Sequence, residues 1–117
     1  MGLVKTDDLP ELEIAKGIFM RAVNTQTVTV AHVKLASGSL LPEHAHYQEQ
    51  VVNVIEGELE LTVEGQAHSL VPGRVMVLPP NVKHSGRVIS DCRVIDVFHP
   101  AREDFRGSSF GGYLGKS

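Results

Sequence analysis

The sequence of 117 residues lacks paired cysteines and any marked excess of charge. Because Cys92 stands alone, an internal disulfide is excluded, and a reducing compartment is the simplest expectation. The 11 basic and 14 acidic residues are spread along the chain and give a formal charge of −3. Without a basic stripe to meet a phosphate backbone, the sequence argues against a nucleic-acid partner.

Long hydrophobic runs are also missing. No apolar stretch approaches the roughly 18 to 20 residues that a transmembrane helix needs, and the first residues have neither the apolar core nor the cleavage site of a secretory signal. We therefore expect a cytoplasmic protein with no membrane partner. The length and the 42% content of hydrophobic residues fit one domain over residues 1–117. We expect its core at about 26–99, between an N-terminal segment 1–25 and a tail 100–117.

The sequence does contain many short alternating or β-branched runs separated by turn signals. The clearest is ELELTVE at 58–64, in which Leu59, Leu61 and Val63 share one face. Repetition of such runs predicts an all-β sandwich or small barrel. The Gly- and Ser-rich tail from Gly107 is interpreted as a mobile segment, or as one whose aromatic residues dock on the barrel or on a partner chain.

Two histidines one residue apart stand in the segment HAHYQEQ at 44–50. His44, His46 and Gln50 are separated by even numbers of residues, so they can share a face if the backbone between them is extended. Imidazole nitrogens bind divalent transition metals at roughly 2.0–2.1 Å, so this arrangement allows a metal site, although a histidine pair alone is more often a surface or hydrogen-bonded feature. A pair of surface histidines is the competing interpretation. Glu49 points to the opposite face and is not a candidate ligand.

The glycines and prolines around this segment resemble those of the cupin superfamily. The first cupin motif is matched by Gly38, five residues, His44, one residue, His46, three residues, Gln50, six residues and Gly57. The second is matched by Gly73, five residues, Pro79, then Asn81, and His84 after two more residues. The resemblance implies a double-stranded β-helix, or jelly-roll, barrel. It also implies that His44, His46, Gln50 and His84 bind one divalent transition metal, for which Zn, Ni, Mn, Fe and Co are all suitable.

Two residues depart from the cupin motifs: Gln50 replaces the usual Glu, and Asn81 replaces the usual Gly. Asparagine tolerates the left-handed backbone conformation, so Asn81 should not disturb the fold. Three imidazoles and one amide are all neutral, and they leave the +2 charge of the metal uncompensated. The site should therefore favour an anionic ligand and act mainly as a Lewis acid.

The segment IDVFHPAREDF at 95–105, together with HAHYQEQ and the following hairpin, is similar to the small cupins of the pectin-degradation protein KdgF family. Members of that family open the ring of 4,5-unsaturated monouronates left by pectate and alginate lyases. The resemblance implies catalytic or substrate-contacting roles for Asp96, Phe98 and Arg102. Arg102 would offer a bidentate fork to the substrate carboxylate.

The same segment can be interpreted from its residues alone. Asp96 shares a strand face with the apolar Val94 and Phe98. Such an acid is either paired and structural, or it lies in a cavity where burial raises its pKa and suits it to proton transfer. His99 points away from Asp96, and His32 and His68 are interpreted as surface or hydrogen-bonded residues.

These observations favour a metal-dependent enzyme that acts on a small anionic sugar acid, with ring opening of 4,5-unsaturated uronates as the expected reaction. Two alternatives stay open: an iron-dependent cupin dioxygenase, against which Gln50 counts mildly, and a non-catalytic module that binds metal or sugar. We expect a homodimer, with the N-terminal segment and the tail as candidate surfaces.

Overall fold

The computed structural model describes residues 2–105, and within that range the chain is built almost entirely from β-strands. The strands are β1 (Leu12–Ala15), β2 (Ile18–Asn24), β3 (Thr29–Leu35), β4 (Leu40–His44), β5 (Glu49–Glu56), β6 (Leu59–Val63), β7 (Gln66–Leu70), β8 (Val75–Leu78), β9 (His84–Val88) and β10 (Cys92–His99). Short 3-10 helices cover Thr6–Asp8 and Glu103–Phe105. The tail from Gly107 lies outside the described residues.

The strands form two antiparallel sheets. The larger sheet has the order β1-β2-β3-β10-β5-β8, and the smaller has the order β4-β9-β6-β7. Neighbours such as β3 and β10 are far apart in sequence, as the crossovers of a jelly roll require. The prediction of an all-β jelly-roll barrel is confirmed.

The core lies between the inner faces of the two sheets. On β6, Leu59 and Leu61 are buried while Glu60 between them is only half-buried, as the alternation in the sequence predicted. On β10, Cys92 and Val94 are buried on the inner face. Each fully buried aliphatic side chain contributes about 1.5–3 kcal/mol to stability. The packing of these strands therefore fixes the framework on which the remaining inward-facing residues stand.

The buried core begins earlier in the chain than residue 26. Ile18 and Met20 on β2 are 0% and 1% exposed, and β2 pairs with β3 over its whole length. Phe19, between them, is itself half-buried on the outer face of the sheet. Because apolar residues occupy both faces of β2, the alternation that marks a strand is obscured in the sequence.

None of the helices that the structure describes is long and apolar enough to cross a membrane.

Gly57, in the turn between β5 and β6, has φ +83°, and a Cβ there would collide with the backbone carbonyl oxygen of Asp91. We predict that Gly57→Ala destabilises the protein by about 1–3 kcal/mol, because it combines backbone strain with a clash that backbone atoms cannot easily relieve. Gly73→Ala is the matched control: Gly73 also has positive φ, but its Cβ would meet no atom within 4 Å. Urea unfolding measures both. An equal loss in the two variants would contradict the steric argument.

Candidate metal centre

Three histidines converge where the two sheets meet. His44 ends β4, His46 follows in the connecting loop, and His84 begins β9. Their candidate ligand atoms all lie within 4.8 Å of one another. The backbone pairing of β4 with β9 sets His44 opposite His84, and the two ring centroids are 4.3 Å apart. These three residues form a group that can hold a metal ion.

The path from His44 to Gln50 differs from the extended strand assumed in the sequence analysis. β4 belongs to the smaller sheet and β5 to the larger one, so the chain must turn between them, and His46 lies in that turn. The loop is held by the N–H of Asn81, which donates to the carbonyl oxygen of His46 at 2.8 Å. Asn81 has φ +65°, which confirms that asparagine occupies the left-handed position expected for it.

The three imidazoles share one hydrogen-bonding arrangement. In each, Nδ1 lies 2.8–3.0 Å from a backbone carbonyl oxygen two residues away. The acceptors are Pro42 for His44, Gln48 for His46 and Val82 for His84. Because a carbonyl only accepts, Nδ1 carries the proton and donates it, and Nε2 keeps its lone pair. Such orientation of the ring by its other nitrogen is typical of metal-binding histidines.

Two further properties make these imidazole rings suitable for binding a cation. Burial lowers the pKa of His44 and of His46 to about 4, and it lowers the pKa of His84 as well, so all three are neutral near pH 7. The positive charge of Arg102 adds to this effect. Moreover, Nε2 of His84 is buried and has no hydrogen-bond partner among residues 2–105. Leaving a buried polar atom without a partner is costly, and a metal ion would satisfy it.

Gln50 stands beside His46. It is 6% exposed, and its Oε1 lies 3.0 Å from Nε2 of His46. Since that Nε2 has no hydrogen to donate, either the amide group is turned so that its NH₂ donates, or both atoms face one cation. Imidazole nitrogens and an amide oxygen would together suit a divalent transition metal, so the donor set is compatible with the second arrangement.

Asp96 is buried on the inner face of β10, between Ala31 on β3 and Val52 on β5. Its Oδ1 has no hydrogen-bond partner in the part of the chain that the structure describes. Burial raises the pKa of Asp96 to about 7, against the opposing effects of a hydrogen bond from Gln50 and the charge of Arg102. The structure therefore places the carboxyl in a cavity, the second of the two environments that its sequence pattern allowed.

The cavity itself is small, about 20 Å³, which is room for roughly one water molecule. Its lining is apolar except for five side chains. These polar residues are His44, Gln50, His84, Ser85 and Asp96. A single polar group that enters it can therefore meet His44, His84 and the carboxyl of Asp96 together.

Phe98 and Arg102 do not line this cavity but are connected to His46 by successive ring contacts. Phe98 is 1% exposed, and its ring packs edge-on against His46 with centroids 5.6 Å apart. The guanidinium of Arg102 is stacked over Phe98, but its Nε and Nη2 bind the two carboxylate oxygens of Asp104 at 2.9 and 2.7 Å. The Nε–Nη2 edge of the guanidinium is therefore engaged by an acid two residues away. The sequence analysis did not single out Asp104, although it stands in the AREDF segment.

The remaining candidates lie outside the centre. Glu49 and His99 are exposed and pair with each other across β5 and β10, as their alternation predicted. His32 is half-buried on the outer face of the larger sheet, and His68 is half-buried on β7.

Similarity to solved structures extends over most of the chain. The structure of KdgF from Halomonas sp. has 27% sequence identity and a TM-score of 0.83, and the match covers 90% of this chain and 98% of that one. An RmlC-like cupin from Shewanella frigidimarina also has 27% identity and a TM-score of 0.83, with 90% and 96% covered.

Among curated proteins, the HTH-type transcriptional regulator PuuR of Escherichia coli is 29% identical over 105 residues, which cover 84% of this chain and 56% of the regulator. The chain spans about half the length of the curated relatives it matches. Residues 31–98, more than half of the chain, match the family profile of the cupin domain. The chain therefore belongs to the cupin family.

Proposed function

We propose that this chain is a metal-dependent cupin enzyme that acts on a small sugar acid and opens the ring of 4,5-unsaturated uronates. The observation that carries the proposal is the buried carboxyl of Asp96, which lacks a partner for Oδ1 within residues 2–105 and lines one cavity with His44 and His84. The similarity to the KdgF structure over 90% of the chain supports the choice of reaction.

The proposed metal ligands are His44, His46, Gln50 and His84, with Zn, Ni, Mn, Fe and Co as suitable ions. When bound, a divalent ion supplies Lewis acidity to an oxygen of the substrate. Because all four side chains are neutral, they do not offset its charge, and an anionic substrate is favoured. The guanidinium of Arg102 lies nearby and adds to the positive potential.

Asp96 is proposed to move protons. Opening the ring requires a proton on one carbon of the double bond and the oxygen of a water molecule on the other. The resulting hemiketal then collapses: its hydroxyl group loses a proton, and the ring oxygen gains one. A carboxyl whose pKa lies at about 7 is populated in both protonation states near neutral pH, so it can donate and accept. Phe98 forms the wall beside His46 and keeps water from that side.

A second candidate function is a binding module that senses a small anion without converting it. The similarity to the transcriptional regulator PuuR over 84% of this chain favours it. Both candidate functions would use the same cavity and the same histidines. They differ in that only the enzyme converts the bound ligand.

We further propose that two copies of the chain associate through the outer face of the larger sheet. A continuous row of valines crosses five strands there, each residue in register with the next. The row consists of Val77, Val51, Val97, Val30 and Val23. Val77 is 56% exposed, and Val75 beside it is 52% exposed.

The size of this face suits a second copy. Six strands spaced about 4.8 Å apart, with about 3.3 Å per residue, give a face of roughly 25 by 20 Å. This area of about 500 Å², to which the relief of the side chains adds, is below the ~800 Å² that each partner buries in a standard interface and fits a smaller one. A flat sheet face can pack on an identical one at about 10 Å, as the two sheets of a sandwich do.

The metal site is tested with His84→Ala. We predict that metal affinity falls by at least about 10-fold, because the variant removes a buried nitrogen donor. Titration of the metal-free protein with Co(II), followed by its visible absorption, measures the affinity. His32→Ala, which removes a histidine from the outer sheet face, should leave the affinity unchanged. Equal affinities in all three proteins would exclude His84 as a ligand.

The reaction is tested with Asp96→Asn in the metal-loaded protein. We predict a loss of kcat of at least about 100-fold with metal content unchanged, since the amide cannot exchange a proton. Loss of the ultraviolet absorbance of an unsaturated uronate measures turnover, and Glu49→Gln on the outward face of β5 is the control. A wild-type protein that consumes oxygen instead would be a dioxygenase. Saturable binding without turnover would favour the binding module.

The dimer is tested with Val77→Lys. A lysine at this exposed edge costs little in a monomer but opposes the burial of the valine row, so we predict a shift from dimer to monomer. Sedimentation velocity measures the state. Leu40→Lys, at a 63% exposed position on the smaller sheet, should remain dimeric. Identical sedimentation of both variants and the wild type as dimers would place the interface elsewhere.

A further inference from the structure

Gln50 carries a hydrogen-bond acceptor and a donor on one amide group, and it lies beside both His46 and Asp96. Its Oε1 is 3.0 Å from Nε2 of His46. On the paired strands β5 and β10, Gln50 is level with Phe98. Asp96 precedes Phe98 by two residues, so it is a diagonal neighbour of Gln50 on the inner face. Such neighbours are roughly 7–8 Å apart, which a long side chain can span.

The hydrogen-bond donor to Asp96 follows from the lining of the cavity. Gln50 is 6% exposed and Asp96 is 5% exposed, and both line the cavity with His44 and His84. The two histidines donate their Nδ1 protons to backbone carbonyls, so they have none to offer at Nε2. A hydrogen bond from the side chain of Gln50 does reach the carboxyl, and it leaves Oδ1 without a partner among residues 2–105. The carboxyl is thus held through one oxygen, and the other is available to a ligand.

The two ends of the amide are not equivalent once a cation is bound. His46 donates from Nδ1 to the carbonyl of Gln48, so its Nε2 presents a lone pair. An amide oxygen faces such a lone pair at 3.0 Å only when a cation lies between them, and the NH₂ group then points to the other side. A cation at the histidines therefore selects the orientation of the amide in which NH₂ is directed at Asp96.

The glutamate that is usual at this position of the cupin motif cannot serve in this way. An ionised carboxylate only accepts hydrogen bonds. Gln50→Glu would keep an oxygen ligand for the cation, but it would meet the carboxyl of Asp96 with a second negative charge instead of a donor. The amide thus has a second consequence besides the neutrality of the donor set.

We propose that Gln50 is a positioning residue, whose amide oxygen binds the cation of the histidine site while its NH₂ group donates to Asp96 and directs the free oxygen of that carboxyl at the ligand. The inference rests on the proposed function for the metal and for the role of Asp96 in proton transfer. It adds that loading the site with metal also orients the carboxyl.

The contact is tested by NMR of protein labelled with isotopic nitrogen in its glutamines, which needs no turnover. The sequence has four glutamines, and the side-chain signal of Gln50 is the one lost in Gln50→Glu. We expect Zn(II) to move this signal. Asp96→Asn should move it again in the Zn(II)-loaded protein, because a charge-assisted bond is replaced by a weaker one. Asp91→Asn, which makes the same change at an exposed position, should not move it.

Kinetics separate the proposed role from metal binding alone. Gln50→Glu should lower kcat by at least about 10-fold, yet bind Co(II) no more weakly than the wild type, since a carboxylate oxygen replaces the amide oxygen. Asp96→Asn completes a double-mutant cycle. If Gln50 acts through Asp96, adding Gln50→Glu to Asp96→Asn causes no further loss of kcat. Gln26→Glu, at an exposed position in the turn between β2 and β3, should leave kcat unchanged.

Two results would overturn the positioning role. One is a Gln50 signal that does not move in Asp96→Asn, and the other is a cycle in which the losses of kcat multiply, as they would if Gln50 acted only through the charge of the metal. A Gln50 signal that Zn(II) does not move would contradict metal binding by the amide. A wild type that does not convert unsaturated uronates would end the proposed reaction, and the NMR comparison would still decide whether Gln50 holds Asp96.

Discussion

The structure depends on the pairing of β10 between β3 and β5. This backbone ladder places Phe98 level with Gln50 and sets Asp96 one step deeper, level with Val52. Because side chains alternate along a strand, the same pairing that buries Val94 in the core also turns Asp96 and Phe98 inward. A shift of one residue would send all three to the outer face. The apolar core thus stabilises the register that the polar site needs.

The side chains that form the candidate metal centre are neutral. The histidines are oriented by backbone carbonyls and held neutral by burial, and the expected glutamate ligand is an amide. The acids nearby are instead Asp96, whose raised pKa keeps it partly protonated, and Asp104, which is committed to Arg102. The candidate metal centre is therefore surrounded by little fixed negative charge that would repel an anionic ligand. Asp104 partly offsets the charge of Arg102 and restrains its orientation.

Much of the fold and of the site could be predicted from the sequence. The alternation in ELELTVE and in CRVIDVF specified which residues face inward, and the spacing of the glycines and prolines located the histidines. The failures have physical reasons. β2 was missed because apolar residues cover both of its faces. The pairing of Arg102 with Asp104 was missed because two neighbouring opposite charges in a polar segment are usually solvated, and only the burial of Arg102 against Phe98 and Phe105 makes this pair specific.

The sequence by itself determined the class of fold, the identity of the three histidines and the neutrality of the donor set, because these follow from local periodicity and from residue chemistry. Only the tertiary structure decided how those parts meet. The turn from one sheet to the other places His46, the carbonyl partners select the protonated nitrogen of each ring, and burial sets the pKa of Asp96. The first and the third depend on groups far apart in the chain or on exclusion of water. The second depends on how the loop and the strand ends fold, since each carbonyl lies only two residues from its ring.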